Sequence, residues 1–162
     1  MVAMMSESNP AITNLMPVLH SPLLSLHVTV IMIAYALLAF MALNGIRAYI
    51  FSCQKSDMSD EIQRLARISL IMLYPAVFLL TTGIFIGAVW ANVSWGRYWG
   101  WDSKEVWALV TMMIYALPFH RQSIAWFRNP MHIHLYFILA ILSVLMTYFG
   151  VNYFLTGLHS YA

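Results

Sequence analysis

Five of the six tryptophans in this 162-residue chain fall between Trp90 and Trp107. The run Trp95-Gly-Arg-Tyr-Trp-Gly-Trp-Asp102 sets Gly96 and Gly100 between the rings. Trp and Tyr concentrate at membrane–water interfaces, so one reading is an interfacial belt. A belt accounts for aromatics at span ends but not for glycines spaced among them. Glycine removes side-chain bulk and lets backbone approach a ligand closely. The second reading is therefore a platform for a flat, apolar ligand built from Trp95, Trp99 and Trp101. Arg97 and Lys104 are cations beside it, and Asp102 and Glu105 are acids at the start of the next apolar stretch. Glu105 can cap a helix and Lys104 can snorkel; equally, the two cations can meet ligand carboxylates.

The six histidines, His20, His27, His120, His132, His134 and His159, are the other residues able to do chemistry here. Imidazole is a standard axial ligand for haem iron, and ionisable groups inside a membrane are functional candidates. The single cysteine, Cys53, excludes both an intramolecular disulfide and a cysteine-only metal site.

Which histidines share a site with the tryptophans depends on the elements that carry them. The chain is 62% hydrophobic and 9% charged, with mean hydropathy +0.75. Soluble domains carry about 25% charged residues, so an ordinary soluble enzyme and a nucleic-acid binder are excluded. No Asp, Glu, Lys or Arg occurs between Glu7 and Arg47, between Arg67 and Arg97, between Glu105 and Arg121, or after Arg128. Crossing about 30 Å of hydrocarbon takes roughly 20 helical residues. The pattern predicts an all-α, polytopic membrane protein with about four spans, at 26–48, 68–91, 105–123 and 132–155. An outer approach segment, 1–25, broken by Pro10, Pro17 and Pro22, precedes a membrane domain covering 26–162. The third span is the shortest, with 15 charge-free residues between Glu105 and Arg121. Ser56 to Arg67, with acids before bases, reads as a helix start that leads into the second span.

Six of the eight basic residues, Arg47, Lys55, Arg64, Arg67, Arg121 and Arg128, flank the first and third connections. The positive-inside rule puts those connections in the cytoplasm and the tryptophan loop and both termini outside. Residues 1–25 show no basic stretch, apolar core and cleavage site in sequence; either the first span inserts with its N-terminus outward or, the preferred expectation, the chain is the C-terminal part of something longer. His27, heading the first span, and His159, following the fourth, then share the outer face with the tryptophans, as a bis-histidine haem site requires. His120 falls at the inner end of the third span, roughly 25–30 Å from the loop by helix rise. His132 and His134 point about 200° apart on a helix and are expected at the inner interface. His20 is an alternative to His27.

Together these residues resemble the tryptophan-rich WWD signature of the haem-handling proteins of cytochrome c biogenesis. Trp95-Gly-Arg-Tyr-Trp-Gly-Trp-Asp-Ser-Lys-Glu-Val-Trp107 is most similar to the CcsA (ResC) branch. Ser21-Pro-Leu-Leu-Ser-Leu-His27-Val, Ala116-Leu-Pro-Phe-His120-Arg and the ending from Thr147 to Ala162 resemble further segments of that branch. Ser103 departs from it, standing where proline is usual, and Pro118 lies close to His120. The resemblance implies that His27 and His159 ligate the iron of haem b, carried as bound substrate, while the WWD region holds the macrocycle. It implies that His120 belongs to a second histidine pair concerned with haem passage from the inner side. It further implies a bacterial cytoplasmic-membrane protein, active at its periplasmic face as a component of a cytochrome c haem lyase. Its partners would be a CcsB/ResB-type subunit or fused N-terminal portion, and an apocytochrome c with a Cys-x-x-Cys-His motif. Two other functions compete: a CcmC-like transporter passing haem to a chaperone, and a structural or quinone-site membrane subunit.

Overall fold

The computed structural model describes residues 21–54 and 59–154. The fold is all-α. Helix α1, Pro22–Ser52, begins where Ser21 caps the Leu23 amide and Pro22 takes the first turn. Helix α2, Ser59–Trp95, carries Asp60 and Glu61 in its first turn, matching the helix dipole. Helix α3, Ser103–Ala116, gives way to a 3₁₀ turn, Leu117–His120, and a second 3₁₀ turn, Ala125–Arg128, follows. Helix α4, Pro130–Leu145, capped by Asn129, continues through a π-helical turn, Met146–Gly150, into Val151–Phe154.

Three of these helical segments, Pro22–Ser52, Ser59–Trp95 and Pro130–Tyr153, are long and apolar enough to cross a membrane. The polytopic reading therefore holds, with changed bounds. The first two helices extend well beyond 26–48 and 68–91: the Ser21 cap starts α1 before residue 26, the acids Asp60 and Glu61 open α2 before residue 68, and the helices run on to Ser52 and Trp95. The third differs most: its α-helix stops at Ala116 rather than continuing through 105–123. Pro118 is the reason, since proline lacks the N–H that would continue the i→i−4 hydrogen bonds of the helix. The segment still advances as a 3₁₀ turn to His120, so Ser103–His120 rises on the order of 29 Å.

Lipid-like surroundings show in what is left outside. Leu43, Ile71, Phe78, Phe85 and Leu142 are all exposed on the helix faces. Inside, Ala34, Leu38 and Met41 of α1 meet Leu73, Ala76 and Leu80 of α2 and Phe137, Ala140 and Val144 of α4. Because lipid is as apolar as leucine, small residues and polar bridges must do the joining. A Cβ on Gly45 would stand 2.8 Å from the His134 carbonyl oxygen, so α1 and α4 touch backbone to backbone. Asn44 Nδ2 donates to Ser69 Oγ at 3.3 Å between α1 and α2. Thr111 Oγ1 donates to the Ser143 carbonyl at 3.2 Å, and Thr147 Oγ1 to that of Trp107 at 3.2 Å, tying α3 to α4.

Candidate functional site: a histidine-walled cavity under the tryptophan loop

The up-and-down order brings the start of α1, the end of α2, the tryptophan loop and the end of α4 to one end of the bundle. They enclose a cavity of about 340 Å³, within the usual range of small-molecule sites. Its walls are largely apolar, with His27 on α1, Trp90 on α2, and Tyr98 and Trp99 from the loop.

Two glycines of α2 place the imidazole. A Cβ on Gly87 would lie 2.6 Å from His27 Cε1 and 2.8 Å from Nδ1, so the ring occupies the space that glycine leaves. His27 Nδ1 lies 2.7 Å from the Gly83 carbonyl oxygen. A carbonyl only accepts, so Nδ1 carries the proton, and in the neutral ring Nε2 bears the lone pair. That is how metal-binding histidines are commonly oriented, by a hydrogen bond on the other ring nitrogen.

The loop is held by the start of α3. Asp102 is its N-cap, accepting from the Lys104 amide at 3.3 Å. Glu105 Oε2 reaches back to the amides of Gly100 at 2.7 Å and Asp102 at 3.2 Å. This capping box ties down the loop at the point where Trp101 adopts a left-handed φ of 56°. Replacing Asp102 with alanine is expected to destabilise the helix start by about 0.5–2 kcal/mol. Hydrogen exchange at residues 98–106 then accelerates while that of α1 stays slow. Lys104 sits just before the apolar run that begins at Val106, lines the cavity, and donates to Asn152 Oδ1 at 3.1 Å. Burial pulls its ammonium below the usual lysine range, with the Asp102 charge opposing.

The residues singled out from sequence are not all in one place. His27 and Trp99 line the cavity. Trp95 stands edge-on to the cavity-lining Trp90, ring centroids 4.9 Å apart. Trp101 is 74% exposed and meets Trp99 edge-on at 6.0 Å. Arg97 is exposed, its guanidinium lying against Gly100, and Asp102 caps α3. His120 is exposed at the opposite end of the bundle, where Leu117–His120 terminates the third segment. His20 and His159 lie outside the described residues, as does most of the 1–25 approach segment.

Gly83 and Gly87 were not singled out from sequence, although their i,i+4 spacing in a bulky span marks a face where another element comes close. His134 is also a correction: it is fully buried instead of interfacial, with Nε2 donating to the Ile62 carbonyl at 3.0 Å. His132 diverges from it, as the i,i+2 spacing requires, and stacks on Trp126 at 4.7 Å.

Comparison with known proteins gives this geometry a family. The cytochrome c assembly protein model matches residues 1–159. The chain belongs to that family. It is 42% identical over 168 residues to protein NrfI of Wolinella succinogenes, covering 99% of this chain and 18% of that protein. It is 38% identical over 164 residues to the cytochrome c biogenesis protein CcsA of Chlamydomonas reinhardtii, covering 97% of this chain and 44% of that one. To CcsA of Prochlorococcus marinus (strain MIT 9312) it is 34% identical over 178 residues, covering 92% and 57%. The chain thus spans well under two thirds of the length of these cytochrome c assembly relatives, and it is an integral membrane protein by its helices.

Proposed function

We propose that this chain holds haem at the outer, periplasmic face of a bacterial cytoplasmic membrane and presents it for covalent attachment to an apocytochrome c. The observation that carries the reading is His27: an imidazole seated against glycine in an apolar, tryptophan-roofed cavity, its Nδ1 engaged at 2.7 Å so that the lone pair lies on Nε2. Haem b is the substrate. His27 supplies one axial nitrogen and His159 the other, with Trp99 and Tyr98 against the macrocycle and Lys104 beside it for a propionate. Trp95 backs Trp90; Trp101 and Arg97 stand at the rim, toward an arriving apocytochrome carrying Cys-x-x-Cys-His. Bound haem brings the vinyl groups that react. The chain's own residues position it, exclude water and hold the iron ligands. His120 serves haem arrival from the opposite side. The six-to-two distribution of basic residues supports this orientation, and a CcsB/ResB-type partner or fused portion completes the assembly as a cytochrome c haem lyase.

The test is haem content of the purified protein by absorption and pyridine haemochrome. Trp99→Ala, which strips one wall of the cavity, is expected to cost roughly 1.5–3 kcal/mol of haem binding, the value of burying a large apolar side chain. Trp126→Ala, at the other end of the bundle, leaves haem content unchanged. Equal losses at both positions, or a colourless wild-type protein, would sink the proposal and favour a structural subunit.

A further inference from the structure

The end of the bundle away from the tryptophan loop holds a second cavity, larger than the first, at about 620 Å³. Three guanidinium-bearing residues line it, Arg67 from α2, Arg121 after the first 3₁₀ turn and Arg128 closing the second. Among the described residues, no carboxylate lines it. On α2, the nearby Glu61 is engaged with Arg64 at 3.6 Å, so it does not neutralise the cleft. Pro130, the first residue of α4, also lines the cavity, adding the positive end of a helix dipole to the same concavity. Three guanidinium groups facing a hollow of this size suit a phosphate, which each can bind through two parallel N–H bonds.

The cavity does not end at the arginines. An adjoining cleft of about 250 Å³ shares Arg67, Leu70 and Arg121 with it and continues past Ile71, Tyr74 and Phe119. Ile71 and Tyr74 are 62% and 66% exposed, on the apolar stretch of α2 that faces hydrocarbon. One continuous groove therefore runs from three cations to a lipid-facing apolar wall. A small soluble anion would use the first part and leave the second without a role. The 3₁₀ ending of α3 borders this groove through Pro118 and Phe119.

We propose that this groove is a binding site for an anionic phospholipid. The phosphate sits on Arg67, Arg121 and Arg128, and an acyl chain lies along Ile71, Tyr74 and Phe119. The inference rests on the proposed orientation, which puts this end at the anionic cytoplasmic leaflet. It does not rest on haem binding at the other end.

The full chain, purified in detergent and equilibrated with mixed phosphatidylcholine and phosphatidylglycerol, is examined by native mass spectrometry for the lipids it retains. Phosphatidylglycerol is expected to be retained over phosphatidylcholine. Each of Arg67→Gln, Arg121→Gln and Arg128→Gln should lower that preference about fivefold, the worth of one basic residue near an anionic surface. All three side chains are exposed, so the fold survives their loss. Arg47→Gln, at a basic residue of the same end that does not line the groove, leaves the preference intact. Ile71→Asn weakens retention of phosphatidylglycerol without a change at the arginines. An equal loss in Arg47→Gln would reduce the effect to general surface attraction and overturn the site. Displacement of the lipid by inorganic phosphate, with the same arginine dependence, would assign the groove to a soluble anion. Displacement by haem, again dependent on the arginines, would assign it to haem carboxylates instead. None of these readings requires haem at His27, so failure of one proposal is separable from failure of the other.

Discussion

Replacing His27 with alanine is expected to abolish the bis-histidine haem spectrum and lower haem content by at least about tenfold, the lower end of what weakening a metal site costs. Added imidazole should restore a large part of both. The restoration follows from the geometry of the vacated place. The Gly83 carbonyl, which accepts from His27 Nδ1 at 2.7 Å, remains to accept the N–H of a free imidazole. Gly87 leaves the ring its room. A rescuing imidazole would then present its other nitrogen in the orientation the side chain had. His120→Ala is expected to behave differently: less haem arrives, but the spectrum of what remains is unchanged, because His120 stands at the opposite end of the bundle. The check is the absorption spectrum of each purified variant with and without imidazole, alongside maturation of a reporter cytochrome c. A wild-type spectrum in His27→Ala, together with its loss in His20→Ala, would transfer the ligand role to His20.

The fold was largely legible because charge is scarce: gaps between charged residues mark apolar helices in the order observed, although among the described residues three, against the four spans the pattern predicts, are long and apolar enough to cross a membrane. Their ends were less legible, since charge-free runs say nothing about caps. Ser21 with Pro22, and Asp60 with Glu61, start α1 and α2 ahead of the expected spans. Pro118 halts α3 inside one. In the site, the tryptophan loop and His27 were legible from residue type and from the side of the membrane they share. Two roles were not. Asp102 reads from the sequence only as an acid beside cations; the hydrogen bonds of the capping box add that it holds the loop. His134 reads as interfacial from its distance to the span end. Only the close approach of α1 at Gly45, and of α2 at Ile62, buries it. Both outcomes depend on which faces meet, and periodicity is weak in helices that are apolar all round. The same limit hid Gly83 and Gly87, whose meaning appears only once α1 lies against them.

Gly87→Ala is the sharper probe of that missed contact, because the three nearest atoms that an added Cβ would meet all belong to the His27 ring. The added methyl would sit 2.6 Å from His27 Cε1 and 2.8 Å from Nδ1, closer than real Cβ atoms come to their neighbours. What must move is the end of a side chain rather than backbone, so the helices stay packed while the ring swings away. Swinging breaks the Nδ1 hydrogen bond to Gly83 and turns Nε2 from its position. Disturbing the orienting partner of a metal-binding histidine typically lowers affinity about 10–100-fold, and a loss of that size is expected in haem content here. Helical content by circular dichroism and the yield of purified protein should remain those of wild type. Imidazole is expected to fail as a rescuer, since the methyl occupies the space a free ring needs; the same failure is expected in the double variant with His27→Ala. Wild-type haem content in Gly87→Ala, or full imidazole rescue of the double variant, would show that the imidazole is not held against α2 when haem is bound.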